Sequence, residues 1–328
     1  CFVTESKVPT HHPYLKPGSG DLPKKFSDST FYGTRYWTTP EDRVAMKGEG
    51  RAVLPADVNN AENGDDSFLL VSKAIPFIQR SVSEGDPFFV VLWFHTPHKP
   101  VTDPEKPSTV DTSAALKRSI EDMDAAIGQL RTELDRLGVR DNTMLWLTSD
   151  NGPENGVDSP NEKDRKRSIR SGRLLNRKRS LNEGGVRVPG ILEWPARIKT
   201  GRTTDVPAVT SDYLPTIVDF LDLPFPDELD LDGVSLREVI EGKSETRGQR
   251  IGFLYGKKRA WTGDRYKLVG SGGKWQLFDL QNPGEKKDLE ETPLVSGSAL
   301  DAASPKARKI YQRMLAEFEA WESEVKGK

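Results

Sequence analysis

Cysteine is nearly absent from this 328-residue chain. Cys1 is the only one, which excludes an internal disulfide and leaves the compartment open, because many exported proteins also lack them. Long apolar runs are missing too. No stretch approaches the roughly 18 consecutive apolar residues of a spanning helix, and the hydrophobic fraction is 35%, so a soluble chain with no membrane partner is expected. Neither charge is in marked excess: 48 Lys and Arg stand against 50 Asp and Glu, a formal net charge of -2, which gives no global pull on nucleic acid. There is no internal repeat. The chain opens on "CFVTES" with neither an initiating Met nor a charged-then-apolar leader, so it is expected to be processed or to continue something longer. What is present is length enough for one large domain with an appendage, or for two domains.

From Cys1 to about Asn63 the residues are rich in Pro, Gly and polar types with little periodicity, the pattern of long loops with occasional short elements. A helix is expected after Asp65 or Asp66, whose carboxylates suit free helix amides and the helix dipole, although two adjacent acids also suit a metal. The run Phe88 to Phe94 in "DPFFVVLWFHTPHKP" has the pattern of a strand covered on both faces in a parallel sheet. Leu116, Ile120, Met123, Ile127, Leu130, Leu134 and Leu137 then recur at helical spacing, with Gly138 at the stop. "TMLWLTSD" reads as a second buried strand, so strand, helix and strand make a βαβ unit and predict a parallel sheet. Farther on, "NEGGVRVPGILEWPARI" brings a Gly-Gly turn and a short strand, and "TSDYLPTIVDFLDL" a helix capped by Ser211 or Asp212. About Glu241 to Arg250 is a candidate linker. "RAWTGDRYKLVG" and "KWQLFDLQN" read as two strands joined at "GSGGK", and a last helix from Pro305, capped by Ser304, carries Ile310, Met314, Phe318, Trp321 and Val325 on one face. The expected architecture is therefore α/β, a mostly parallel sheet flanked by helices, with a small antiparallel sheet backed by the terminal helix.

In such sheets ligands bind beyond the carboxyl ends of strands, where "HTPH" and "SDNG" both fall. Asp150 and Asn151 offer a carboxylate and a carboxamide, oxygen donors suited to a hard divalent ion, with Gly152 free to turn beneath it; the same tripeptide also makes an ordinary Asx turn. Two ligands are too few for a hard-cation site, and no second acidic cluster stands at a strand end. His95 and His98 sit in one rim loop, where an imidazole can face an anion or pass a proton to a leaving group, or simply cap the chain. His11 and His12, in a Pro-rich loop, read as solvent-exposed. Between Lys163 and Ser180 nine cations accompany one acid. Such a run makes a solvated loop, a localisation signal or a nucleic-acid patch, and its lack of aromatics weakens the single-strand version of the last. Following the "SDNG" rim, it also suits attraction of an anionic substrate.

Taken in order, "GDDSFLLVSKAIPFI", "PFFVVLWFHTPHKP", "LWLTSDNGP", "KRSLNEGGVRVPGILEWPARI", "TSDYLPTIVDFLDLPFP" with "DGVSL", and "RYKLV" with "WQLFDLQNPGEKKDL" resemble the type I sulfatases, formylglycine-dependent members of the alkaline phosphatase superfamily, from about Asp65 to Leu289. The resemblance implies that residues 1–245 are the C-terminal portion of the large α/β domain and 246–328 a small α+β subdomain. It assigns His98 to the sulfate ester and the leaving oxygen, Asp150 and Asn151 to calcium, and Lys178, five residues before Glu183, to a sulfate oxygen. It also implies a sulfated small molecule or polysaccharide as substrate, and export to the periplasm or exterior in a bacterium, or to the lysosome in an animal.

The family's nucleophile is a formylglycine made within C/S-x-P/A-S-R. Cys1 lacks the Pro or Ala, Ser and Arg that should follow it, so Cys1 is not expected to be the nucleophile. The paired acids that complete the calcium shell and the "GKWHLG"-type segment are missing as well. The expectation is the C-terminal two thirds of a sulfatase, inactive alone. A phosphodiesterase or phosphonate hydrolase of the same superfamily, and a non-catalytic protein that binds polyanions through the basic loop, are the alternatives.

Overall fold

The computed structural model describes residues 67–98, 113–154, 174–224, 231–281, 290 and 293–327, with short strands at 2–6, 34–38, 51–52, 102–103 and 106–110. Cys1, His11, His12 and residues 163–173 of the basic segment lie outside the described residues. The chain forms two compact units, Cys1–Thr143 with Gly156–Ser159 and Met144–Asn155 with Pro160–Lys328.

In the first unit β1 (Phe2–Ser6), β2 (Thr34–Thr38) and β3 (Arg51–Ala52) form an antiparallel sheet in that order. α1 (Ser67–Glu84) starts directly after the acidic pair and buries Leu70, Val71, Ala74 and Ile78, one stripe at helical spacing. β4 (Thr102–Asp103) and β5 (Lys106–Val110) pair antiparallel. α2 (Ser113–Arg136) packs on α1, and Gln79 Nε2 donates to Glu133 Oε1 at 2.6 Å. Its end matches expectation. Gly138 takes φ 71, its amide bonds the Asp135 carbonyl and the Val139 amide bonds that of Leu134, which satisfies two terminal carbonyls. The buried stripe is rotated from the predicted one. Ala115, Ser119, Ala126, Leu130 and Leu134 are buried while Ile120 is exposed, because small side chains let a neighbouring helix approach and Ile120 falls outside that contact.

Segment 88–94 departs from the sequence reading. It makes no ladder, and its exposure alternates: Phe89, Val91 and Trp93 are 72%, 58% and 82% exposed, whereas Phe88, Val90, Leu92 and Phe94 are half-buried. An unbroken apolar run signals two covered faces, but here only one is covered. β6 (Leu145–Thr148) is the predicted second strand, yet its partner is β7 (Gly190–Glu193), antiparallel with Leu145 opposite Glu193. Every ladder among the described residues is antiparallel, so the expected βαβ pairing is not among them.

Two cores organise the second unit. The first joins Trp194, Phe220, Leu236 and Ile240 from β7's end, α4 (Tyr213–Phe220) and α5 (Arg237–Ile240), with Trp194 and Phe220 in edge contact at 4.7 Å. Asp212 precedes α4 and is fully buried; its carboxylate accepts the amides of Val209 (3.0 Å) and Val234 (2.9 Å) and both arms of Arg247 (3.1 and 2.5 Å). Arg247 lies within the expected linker, but its side chain is buried. A linker composition marks polar residues without telling whether a partner waits for them.

The second core lies between a five-stranded antiparallel sheet and the last helix. β8 (Ile251–Tyr255), β9 (Lys258–Thr262), β10 (Tyr266–Ser271), β11 (Lys274–Asp279) and β12 (Val295–Ser296) run in the order β12-β11-β10-β9-β8. "RAWTGDRYKLVG" is thus two strands, β9 and β10, and β8 was not foreseen. The β10–β11 turn is the Gly-rich one expected, with Gly272 at φ 58 and Gly273 at φ 80, values that suit a tight hairpin. α6 (Pro305–Gly327) is capped by Ser304 Oγ, which accepts the Ala307 amide at 3.2 Å. Ala307, Tyr311, Met314 and Phe318 bury against Trp261, Leu268, Leu277 and Val295. Period-two alternation turns Leu268 toward α6 and its neighbour Lys267 to the opposite face, where Lys267 is fully buried. The division expected at residue 245 falls inside this unit. No helix among the described residues is long and apolar enough to cross a membrane.

Candidate functional site

The β6 strand ends in Ser149, Asp150, Asn151 and Gly152. Ser149 Oγ donates to the Asn151 carbonyl at 3.0 Å and Asn151 Nδ2 to the Gly152 carbonyl at 2.9 Å, so this is a hydrogen-bonded turn. Asp150 is exposed and Asn151 half-buried. With the amide nitrogen engaged, the carboxamide oxygen of Asn151 and the carboxylate of Asp150 remain as the donors toward a cation. Both are hard oxygen donors, the type a Ca²⁺ ion takes. Among the described residues no group of three or more His, Cys, Asp or Glu is arranged to hold a metal. The pair fits the ion in kind and supplies part of a shell.

Gly152 has a reason different from the expected sharp turn. Its φ is not positive, but a Cβ there would lie 1.9 Å from the Gly184 carbonyl oxygen. The Gly-Gly pair is one turn of helix, α3 (Glu183–Val186), inserted into a loop that closes around it. A Cβ on Gly184 would meet the carbonyl oxygens of Asn176 at 2.2 Å and Leu175 at 2.5 Å, and one on Gly185 that of Ser180 at 2.1 Å. The amides use this closeness: Gly184 N bonds Leu175 O (2.8 Å), Gly152 N bonds Gly185 O (2.9 Å) and Lys178 N bonds Pro153 O (3.1 Å). Loop 174–186 and turn 150–154 are thus laced together by backbone, which brings Asp150, Asn151 and Lys178 into one cluster of loops. Gly184→Ala is expected to cost about 1–3 kcal/mol by overpacking, read as a lower midpoint in urea unfolding at unchanged slope. Gly190→Ala, with open space around its Cβ position, should leave the midpoint nearly unmoved.

Three cations stand in a row at 177–179, and the structure separates them. Glu154 accepts Arg177 Nη1 at 2.9 Å on one carboxylate oxygen and Arg179 Nη1 at 2.5 Å on the other. The two arginines neutralise that acid together; Lys178, half-buried between them, is not in that pairing. Sequence reasoning missed Glu154, which stands just past "SDNGP" with no pattern to mark it.

A buried charge cluster lies beneath the same loop. Lys267 Nζ donates to Glu183 Oε1 at 2.6 Å and lies 3.4 Å from Glu290 Oε1, and Glu290 Oε2 accepts the Glu183 amide at 2.6 Å. All three side chains are buried. Arg187 Nη1 stands 3.5 Å from the other Glu183 oxygen. Burial pushes the Glu290 carboxyl up from the usual carboxylate range, against the pull of Lys267.

His98 belongs to the first unit. Its amide donates to the His95 carbonyl at 2.9 Å, closing a four-residue turn through the cis Thr96–Pro97 bond, and its side chain is half-buried. This turn carries both rim histidines. The loop cluster in the second unit therefore gathers three of the four sequence-derived site residues, and His98 stands on the other unit.

The sequence matches the Sulfatase family over residues 19–223, more than half the chain, and the N-sulphoglucosamine sulphohydrolase, C-terminal, family over residues 174–297. It is 31% identical to human steryl-sulfatase over 186 residues, covering 57% of this chain and 31% of that protein. It is 27% identical to rat arylsulfatase G over 260 residues, covering 74% and 48%. The chain thus spans about a third to a half of these curated relatives. Among solved structures, Ps i-CgsB in complex with k-i-k-neocarrahexaose shares the fold with a TM-score of 0.61 at 23% identity, over 78% of this chain and 54% of that one.

Proposed function

We propose that this chain, which belongs to the sulfatase family, carries the sulfate-holding side of a sulfate-ester hydrolase, releasing an alcohol and inorganic sulfate. The observation that supports this most is the lacing of loop 174–186 to turn 150–154, which gathers a cation and two hard oxygen donors. Hydrolysis of a sulfate monoester puts negative charge on the bridging oxygen and redistributes it over the sulfuryl oxygens. The Lys178 ammonium is assigned to a sulfuryl oxygen, where a fixed cation favours the transition state over the ground state. His98 is assigned the proton for the leaving oxygen. Asp150 and Asn151 are assigned to Ca²⁺, with further ligands from outside this set; the ion, when bound, supplies positive charge that polarises the sulfuryl group. Arg177 and Arg179 both turn to Glu154, which offsets one of their two charges and engages both guanidinium groups beside Lys178.

The mostly parallel central sheet is part of this reading. The substrate class is a sulfated saccharide or a small sulfate ester, and residence is outside the cytoplasm. The test is metal removal: EGTA should abolish hydrolysis of 4-nitrophenyl sulfate by the native protein that carries this sequence, and Ca²⁺ should restore it. Asp150→Ala should raise the Ca²⁺ needed for half-activity by at least tenfold, about the scale of losing one charged ligand. Full activity in EGTA, or Asp150→Ala with an unchanged Ca²⁺ requirement, would overturn the assignment.

A further inference from the structure

The anchorage of the Lys178 loop is two-sided. On one side it is bonded to turn 150–154, as described. On the other, the C-terminal sheet sends two lysines into it: Lys267 from β10 to Glu183, and Lys258 from β9 to the Arg179 carbonyl. These contacts fall one and five residues past Lys178. The loop has no regular structure to hold it between Leu174 and Asn182. Its conformation is also unfavourable by itself, because Asn176 (φ 64) and Arg179 (φ 70) both occupy the left-handed region with Lys178 between them. Asn tolerates that region better than other non-glycine residues, whereas a residue such as Arg179 stays there where surrounding contacts hold it. For Asn176 the contact is its side chain, which donates to Asn182 Oδ1 at 2.8 Å. For Arg179 the contacts are the Glu154 carboxylate on its side chain and the Lys258 ammonium on its carbonyl.

We infer that Lys258 is a positioning residue for the sulfatase reaction: by holding the Arg179 carbonyl it fixes the left-handed turn that aims Lys178. This rests on the proposed role of Lys178 and extends it to a strand more than 70 residues away in sequence. Lys258 belongs to the β8–β9 hairpin, where its ammonium also lies 5.5 Å from the Tyr255 ring. The hairpin is thus the part of the C-terminal sheet that contacts the loop beside its functional cation, while Lys267 secures the base of the same loop at Glu183.

The experiment compares Lys258→Met, Lys258→Arg, Lys178→Ala and the Lys258→Met/Lys178→Ala double variant in the native protein. It reads kcat/KM for 4-nitrophenyl sulfate, the Kd for inorganic sulfate by calorimetry, and the thermal midpoint. Lys258→Met should lower kcat/KM by about 10-fold, the low end for groups that orient a functional side chain, with weaker sulfate binding and an unchanged midpoint. Lys258→Arg, which keeps a donor, should restore most of the loss. The double variant should equal Lys178→Ala alone, since nothing remains to be aimed. Wild-type kcat/KM and sulfate affinity in Lys258→Met, or losses that multiply in the double variant, would overturn the positioning role while leaving Lys178 in place. Lys178→Ala with wild-type activity would overturn the proposed function and this inference together.

Discussion

Replacing Lys178 with alanine lowers the turnover of a sulfate ester by about 10²- to 10³-fold, the scale of removing one preorganised donor from a transition state. KM should change less than kcat, because the ammonium is assigned to charge that grows during the reaction. Arg177→Ala and Arg179→Ala are the controls that separate Lys178 from its neighbours. Each guanidinium shares Glu154 with the other, so either loss leaves the acid paired and should lower kcat/KM far less than the Lys178 change. Steady-state kinetics on the three variants checks the expectation. If Arg177→Ala were the most damaging, the sulfate ligand would be misplaced by one residue.

Replacing Lys267 with methionine removes the only lysine from a cluster that then holds two buried carboxylates. Breaking a buried ion pair by deleting one partner costs about 3–5 kcal/mol, and Lys267, Glu183 and Glu290 are all buried. Burial already holds the Glu290 carboxyl above the usual carboxylate range, with Lys267 pulling the other way. Without that pull it rises further. A carboxyl raised in the folded state binds its proton more tightly there than in the unfolded chain, so stability is lost as pH climbs past the unfolded value and recovered as pH falls. The Lys267→Met deficit should therefore be larger at pH 8 than at pH 5. Urea unfolding at both values measures it, and an equal deficit at the two would mean that the cluster is hydrated rather than buried.

The sequence was most legible where a local rule acts alone. Gly138 stands at the end of α2 as expected, Ser304 capped α6, and Gly272 and Gly273 made the hairpin turn. Met314 and Phe318 fell on the buried face of α6. It was least legible where a residue's meaning depends on a partner far along the chain. Lys267 sits in "RYKLVG" where an alternating strand normally exposes its lysine, and only Glu183 and Glu290 explain its burial. Arg247 carries the composition of a linker, and only Asp212 makes it part of a core. Strand direction also escaped, since periodicity states which faces are covered but not which strand lies alongside: "LWLT" was recognised as a strand and paired antiparallel with "GILE". At the site, Asp150 and Asn151 were legible as oxygen donors at a strand end and Lys178 only through the family resemblance, whereas nothing in the sequence marks Glu154 and Lys258, because each acts through a neighbour of Lys178.

The crossing of Arg247 to Asp212 and of Lys267 to Glu183 bears on how such chains can diversify. The segment after residue 245 contributes two buried cations, Arg247 and Lys267, and the part before it their counter-charges, Asp212 and Glu183, so an exchange of C-terminal segments between relatives at that point would strand ions of both signs in apolar surroundings. Inheritance of the two halves as a single block is what this electrostatic interlock demands, and the exposed ends of the sheet hairpins are left as the ground where specificity can drift.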